Sequence, residues 1–130
     1  MTMDKKKILI VEDDESISKF LSYRLSRLEF EVALAKDGEE GLEKAKEIPD
    51  LIILDLMLPK FSGEEVCKAI RENEDDERFA NIPIIMLTAK TSDVDRIVGK
   101  VIGANTYMTK PFRADELVKE IRRLTCIPRD

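Results

Sequence analysis

The chain has 130 residues, a formal net charge of −5, 43% hydrophobic and 38% charged residues, a composition that excludes a disordered or fibrous chain. The acidic excess disfavours direct binding to nucleic acid or to a membrane surface. With two cysteines and no histidine, a disulfide framework and the usual zinc or copper sites are excluded, and a cytoplasmic location is expected.

Five segments have the character of β-strands. Unbroken apolar runs at residues 7–11, 51–54 and 82–87 predict strands buried on both faces, as in parallel sheets. The alternating segment 31–35 and the short segment 106–108 are weaker candidates. The first apolar run stops at Glu12 and is too short for a signal peptide or a membrane span.

Segments of helical period separate the strands, and polar residues mark where two more helices begin. Asp37 with Glu40 and Ser62 with Glu65 have the spacing of N-terminal caps. The acidic run at residues 72–77 is expected to be a solvated loop. Three apolar stripes complete the set of five helices: Ile17, Phe20, Leu21, Leu25 and Leu28; Val94, Ile97, Val98, Val101 and Ile102; and Leu117, Val118, Ile121 and Leu124.

Alternation of strand and helix fixes the expected architecture. Each strand must be followed by a right-handed crossover before the next parallel strand can pair. We therefore predict a three-layer α/β sandwich, with a five-stranded parallel sheet between two layers of helices. Residues 1–130 are expected to form a single domain, because no linker or repeat interrupts the pattern.

Chemically versatile residues follow the predicted strands. Glu12 and Asp13 follow the first strand, Asp55 the third, Thr88 the fourth and Lys110 the fifth, and such positions converge at the carboxyl edge of an open sheet. Three carboxylates with one ammonium require a further cation, and oxygen donors without imidazole favour Mg²⁺. In such a site Asp55 is placed to act as a carboxylate nucleophile toward phosphorus, with the metal and Lys110 neutralising the phosphoryl oxygens and Thr88 donating a hydrogen bond.

Each of these residues also has a simpler structural interpretation. An acidic residue after a strand is often a helix cap, as expected for Asp14 or Glu15, and most lysines are solvated. The functional interpretation therefore depends on the joint placement of all five residues.

Four motifs, ILIVEDD, LIILDLMLP followed by Gly63, MLTAK and YMTKPF, occur in an order and spacing that resembles the receiver domain of bacterial two-component response regulators. The resemblance implies a flavodoxin-like strand order 2-1-3-4-5. It implies phosphoryl transfer to Asp55 from a partner histidine kinase or histidine phosphotransfer protein. It also implies Mg²⁺ held by Glu12, Asp13, Asp55 and the backbone carbonyl of Met57, with Asp13 as the direct ligand of the acidic pair.

The resemblance further implies how a signal leaves the site. The hydroxyl of Thr88 moves toward the phosphoryl group, Tyr107 moves inward, and the face formed by the fourth helix, fifth strand and fifth helix changes to control a partner or an output domain. The simpler structural interpretation of Tyr107 is an aromatic residue of an edge strand that packs on the core. Lys110 and Pro111 match the position of a cis peptide bond in the family. The chain is then a signalling domain, monomeric or dimeric on phosphorylation, with no enzyme activity beyond its own phosphorylation and dephosphorylation.

Two features depart from the pattern. Asn105 and Thr106 stand where receivers that drive DNA-binding domains commonly carry two acids, which argues against a transcriptional output. Met57 and Lys90 occupy positions that the resemblance connects with phosphate lifetime.

Three other functions compete with the receiver interpretation. A flavin or nucleotide site requires a glycine-rich or hydroxyl-rich loop after the first strand, where this chain has Glu12 and Asp13. A haloacid-dehalogenase-like phosphatase requires a second Asp two residues after the nucleophile, where this chain has Met57. A pseudo-receiver that acts only as an interaction module stays open as the alternative, although the intact set of acidic residues argues against it.

Overall fold

The five predicted strands are all present in the computed structural model, which describes residues 5–89 and 103–125 apart from the side chain of Thr88. Within these residues the strands are β1 (Lys6–Val11), β2 (Phe30–Ala35), β3 (Leu51–Leu54), β4 (Ile84–Thr88) and β5 (Thr106–Thr109). All neighbouring pairs are parallel and the order is β2-β1-β3-β4-β5. The predicted strand order is therefore confirmed.

Five helices occur among the described residues: α1 (Glu15–Ser26), α2 (Gly38–Ala45), α3 (Gly63–Arg71), the one-turn α4 (Glu77–Ala80) and α5 (Ala114–Thr125). Asp14 caps α1 by accepting from the amides of Ser16 and Ile17. Ser62 and Glu65 form the predicted capping box at the start of α3. In these two helices side-chain acceptors thus bond to amides of the first turn, and this fixes where each of the two begins.

Two apolar cores lie on opposite faces of the sheet. Alternate residues of β1 point to opposite sides, so that Ile8 and Ile10 pack with α1 and α5, whereas Leu9 and Val11 pack with α2 and α3. Because both faces are covered, residues 8–11 of β1 and all of β3 are buried on both sides, and this explains why these segments are unbroken apolar runs. The three-layer sandwich is confirmed.

Some element predictions need correction. The fourth strand begins at Ile84 and not at residue 82, because the amide of Ile82 donates to the carbonyl of Phe79 and closes the turn after α4. That helix was not predicted, although Asp76 at the end of the acidic run caps it. In the stripe predicted for α1, Leu21 and Leu25 are buried as expected, whereas Phe20 is 46% exposed because the buried side of the helix also includes Ser18. Leu28, which is 39% exposed, lies beyond the end of the helix.

Several predictions fall outside the described residues. These are the helix expected at residues 94–102 and the roles of Lys90 and of the Thr88 side chain. Cys67 is buried in the core between α3 and the sheet.

Candidate functional site

The carboxyl ends of β1, β3 and β5 bring the predicted site residues to one edge of the sheet. The amide of Asp55 donates to the carbonyl of Val11 at 3.0 Å, so the turn after β3 begins beside the turn after β1. Lys110 directly follows β5 and precedes a cis peptide bond to Pro111. The register of the parallel strands therefore places residues that are distant in sequence at the same position along the strand direction.

Three carboxylates form the acidic part of this edge. Glu12 and Asp55 are only 5% and 6% exposed, whereas Asp13 is exposed. One oxygen from each of the three side chains lies within 4.8 Å of the other two. The cluster therefore combines two buried carboxyl groups with one that faces solvent.

Lys110 is the cation of the cluster. Its Nζ lies 2.8 Å from Glu12 Oε1 and 3.2 Å from Asp55 Oδ2. Burial alone would lower the pKa of Lys110, but the hydrogen bond from its ammonium to Glu12 and the charges of Asp55 and Glu12 hold that pKa above its usual value. Lys110 therefore stays protonated at neutral pH and bridges the acids that follow β1 and β3.

The pKa of Glu12 is raised, chiefly because burial removes its carboxylate from water, and the neighbouring Asp55 adds to the rise. The hydrogen bond from Lys110 and the amide of Asp14, 3.2 Å from Glu12 Oε2, oppose this rise. One ammonium does not fully compensate the buried acidic groups, so the site favours a further cation.

Asp55 is oriented from two sides. Its Oδ2 faces Lys110, and its Oδ1 accepts a hydrogen bond from the amide of Met57 at 3.1 Å. The side chain of Met57 is 60% exposed and contributes nothing to the core. Both oxygens of Asp55 are thus held in place, one by an amide just after its own strand and the other by the lysine that follows β5.

Gly63 lies against the backbone of Asp55, a contact that the sequence analysis did not assign. Its amide donates to the carbonyl of Leu56 at 2.9 Å. A Cβ at this position would lie 2.2 Å from the Asp55 carbonyl oxygen and 2.8 Å from the Cα of Leu56. Two features of the sequence mark this glycine: it directly follows the capping residue Ser62, and it follows the LIILDLMLP motif of the family resemblance.

The two proposed switch residues are placed on adjacent strands. Thr88 ends β4 and is the register partner of Thr109, immediately before Lys110. Tyr107 pairs with Met86, is half-buried and packs against the core formed with α2 and α3. The backbone of Thr88 thus reaches the same edge as Lys110, and Tyr107 lies farther from that edge along β5.

The donor set fits a hard divalent cation. Glu12, Asp13 and Asp55 offer carboxylate oxygens in one group, and Mg²⁺ prefers such ligands while retaining bound water.

Across residues 5–89 and 103–125 no helix is long and apolar enough to span a bilayer.

Comparison with known proteins gives a consistent result. The sequence model of the response regulator receiver domain matches residues 8–122. The alkaline phosphatase synthesis transcriptional regulatory protein PhoP of Bacillus subtilis is 48% identical over 92% of this chain and 48% of its own length. The response regulator ArlR of Staphylococcus saprophyticus is 42% identical over 91% of this chain and 51% of its own length. The chain thus spans about half the length of these curated relatives.

Solved structures match over nearly their full length. The chemotaxis protein CheY4 of Vibrio cholerae has a TM-score of 0.83 and 36% identity, with 92% of this chain and 98% of CheY4 covered. The receiver domain of the sensor histidine kinase PA1611 of Pseudomonas aeruginosa has a TM-score of 0.85 and 31% identity, with 95% and 99% covered. That structure holds a magnesium ion in its active site cleft.

Proposed function

This chain belongs to the response regulator receiver domain family, and we propose that it is a phosphorylation-activated switch whose phosphoacceptor is Asp55. The observation that carries this proposal is the environment of the Asp55 carboxylate. It is buried, lies at the end of a central strand, contacts Lys110 and belongs to a group of three carboxylates. An isolated structural aspartate has no need of such neighbours.

The proposed reaction is transfer of a phosphoryl group from a histidine of a kinase or a phosphotransfer protein. An oxygen of Asp55 bonds to phosphorus while the bond between phosphorus and the donor nitrogen breaks, and the imidazole leaves with the electron pair. Lys110 is placed to neutralise charge on the phosphoryl oxygens, because its Nζ already lies 3.2 Å from Asp55 Oδ2. Positioning and electrostatics are thus the contributions of the protein.

We infer that Glu12, Asp13, Asp55 and the Met57 carbonyl hold Mg²⁺. When bound, the ion supplies positive charge toward the phosphoryl oxygens. The three carboxylates within 4.8 Å of one another support this assignment, and so does the magnesium ion in the related PA1611 receiver domain.

The proposed output involves the hydroxyl of Thr88 and the ring of Tyr107. Phosphorylation would shift an equilibrium that exists before the signal, with Thr88 drawn to the phosphoryl group and Tyr107 moved inward. The half-buried position of Tyr107 on β5 leaves room for such a change at the surface that includes β5 and α5. A pseudo-receiver is less well supported, because every acidic residue of the site and Lys110 are in place.

The downstream partner is a protein or an output domain, and the names of the curated relatives favour control of transcription. Asn105 and Thr106 argued against such an output from sequence alone. In the structure Asn105 Oδ1 accepts from the amide of Ile84 and from Arg71, and Thr106 donates to Glu120. Both residues thus make contacts within the domain, and we give more weight to the names of the relatives than to this departure from the family pattern.

Magnesium dependence tests the proposal directly. We expect the purified protein to gain one phosphoryl group from acetyl phosphate in the presence of Mg²⁺, in an acid-stable and base-labile linkage, and to gain none in excess EDTA. The reason is that three clustered carboxylates repel an incoming phosphate when no cation is present. Intact-mass spectrometry measures both states, and equal phosphorylation in EDTA would contradict the metal assignment.

Replacement of Lys110 by alanine is expected to slow phosphorylation by about 10- to 100-fold, the range for loss of one hydrogen bond between charged groups. It should also uncouple phosphorylation from the conformational response. The chain has two tyrosines and no tryptophan, so in a Tyr23→Phe background fluorescence reports Tyr107 alone. Phosphorylation should change this signal only while Lys110 is present.

Lys60→Ala is the matched control for Lys110→Ala, because Lys60 pairs with Asp37 and Glu39 near the same edge of the sheet and not with Asp55. It should retain both the rate and the fluorescence change. A full response in Lys110→Ala would exclude Lys110 from the switch.

A further inference from the structure

The open edge of the sheet at β2 carries an arrangement that phosphoryl transfer does not require. In the described part of the chain β2 pairs only with β1. The carbonyl of Ala35 points toward β1, because it accepts from the amide of Glu12. Since backbone groups of successive residues in a strand alternate in direction, the carbonyl of Leu34 and the amide of Lys36 point away from the sheet.

Two side chains of α2 occupy these outward backbone groups. Lys44 Nζ donates to the carbonyl of Leu34, and Glu40 Oε1 accepts from the amide of Lys36 at 2.9 Å. The same two side chains form an ion pair with each other at 3.2 Å. The bond from the Lys36 amide is the main reason why the pKa of Glu40 lies below its usual value, so the carboxylate stays ionised at neutral pH.

This arrangement reproduces the contacts of one residue in an added strand. In a parallel neighbour, one residue would donate its amide to the Leu34 carbonyl, and the carbonyl of that same residue would accept from the Lys36 amide. An antiparallel neighbour would also need the Leu34 carbonyl. With both groups already bonded to side chains, further pairing must first break the Glu40 and Lys44 contacts.

We propose that Glu40 and Lys44 close the β2 edge against a second copy of this chain. Unpaired edge strands invite association with other strands, and lysine side chains are a common means of preventing it. Closure of this edge does not depend on the phosphorylation of Asp55.

A second copy of β2 is the partner that the edge fits. Ala33 and Leu34, in the second half of the strand, are exposed. The strand is acidic near its start at Glu31, and the basic Lys36 follows its end; both side chains are exposed. Antiparallel pairing about a two-fold axis would place the acidic start of each copy beside the basic end of the other, which is the self-complementarity that an isologous dimer requires.

The test compares self-association of two double variants by sedimentation equilibrium. Glu40→Ala with Lys44→Ala should raise the association constant by about tenfold or more, because it uncovers one backbone donor and one acceptor in each copy. Glu43→Ala with Lys46→Ala removes another ion pair of α2, formed at 3.1 Å with both side chains exposed, and should leave the constant as in the unmodified protein. Urea denaturation establishes that both variants are folded.

Addition of Leu34→Pro to the first double variant locates the contact. Proline is tolerated where an edge strand faces solvent but cannot donate to a new neighbour, so it should return the association constant to its original value. The proposal is overturned if removal of Glu40 and Lys44 leaves association unchanged, if the control pair raises it equally, or if the increase survives Leu34→Pro.

Discussion

Replacement of Asp55 by asparagine is expected to abolish phosphorylation by acetyl phosphate. The amide nitrogen that replaces one oxygen is a poor nucleophile toward phosphorus, and the uncharged amide also removes one anion from the proposed metal site. The fold should survive, because Lys110 keeps its contact with Glu12 at 2.8 Å. Intact-mass spectrometry after incubation with Mg²⁺ and phosphodonor measures the result.

Asp37→Asn is the matched control for Asp55→Asn, because Asp37 is the other aspartate among the buried polar residues. Its side chain caps α2 by accepting from the amide of Glu40 at 2.8 Å, and asparagine serves equally well as a helix cap. This variant should be phosphorylated like the unmodified protein. Phosphorylation of Asp55→Asn at the original rate would refute the assignment of the phosphoacceptor.

Much of the fold was predictable because the hydrophobicity of each short segment indicates how far that segment is buried. β1 and β3 are covered on both faces, and a strand with no solvent-facing side must be apolar throughout. β2 at the edge gave a weaker signal for the opposite reason, since Glu31, Ala33 and Leu34 are exposed. The strand order itself came from the family resemblance and not from periodicity.

The convergence of Glu12, Asp55 and Lys110 was predictable from topology, because parallel strands must end at a common edge. What the sequence could not supply is which backbone group each polar side chain contacts. The predicted cap is confirmed, because Asp37 accepts from the amide of Glu40, but the Glu40 carboxylate accepts from the amide of Lys36 and helps to cover the sheet edge. A carboxylate at position 40 can reach either Lys36 or Asp37, so spacing in the sequence alone does not identify its partner.

Arg71 illustrates the same limit. Its guanidinium donates to the carbonyls of Gly103 and Ala80 and to Asn105 Oδ1. These contacts join the end of α3 to the segments before β4 and β5. Nothing in the helical period of α3 distinguishes this arginine from a solvated one, because its acceptors come from segments that are brought near only by the folded sheet.

Replacement of Gly63 by alanine is expected to impair both stability and phosphorylation. The added Cβ would lie 2.2 Å from the Asp55 carbonyl oxygen and 2.8 Å from the Cα of Leu56. These are backbone atoms, so relief requires movement of either the first turn of α3 or the end of β3. Overpacking of this kind costs about 1–3 kcal/mol, more than the roughly 1 kcal/mol that alanine gains over glycine in a helix.

Because the displaced backbone carries Asp55, the phosphorylation rate of Gly63→Ala should fall even under conditions where the variant is fully folded. Glu64→Ala is the control, since Glu64 is the next residue of the same first turn. Loss of an acidic residue there costs only about 0.3–1 kcal/mol through the helix dipole. Urea denaturation gives the free energy of unfolding, and intact-mass spectrometry gives the rate. If Gly63→Ala matches Glu64→Ala in both, the contact between Gly63 and the Asp55 backbone does not position the phosphoacceptor.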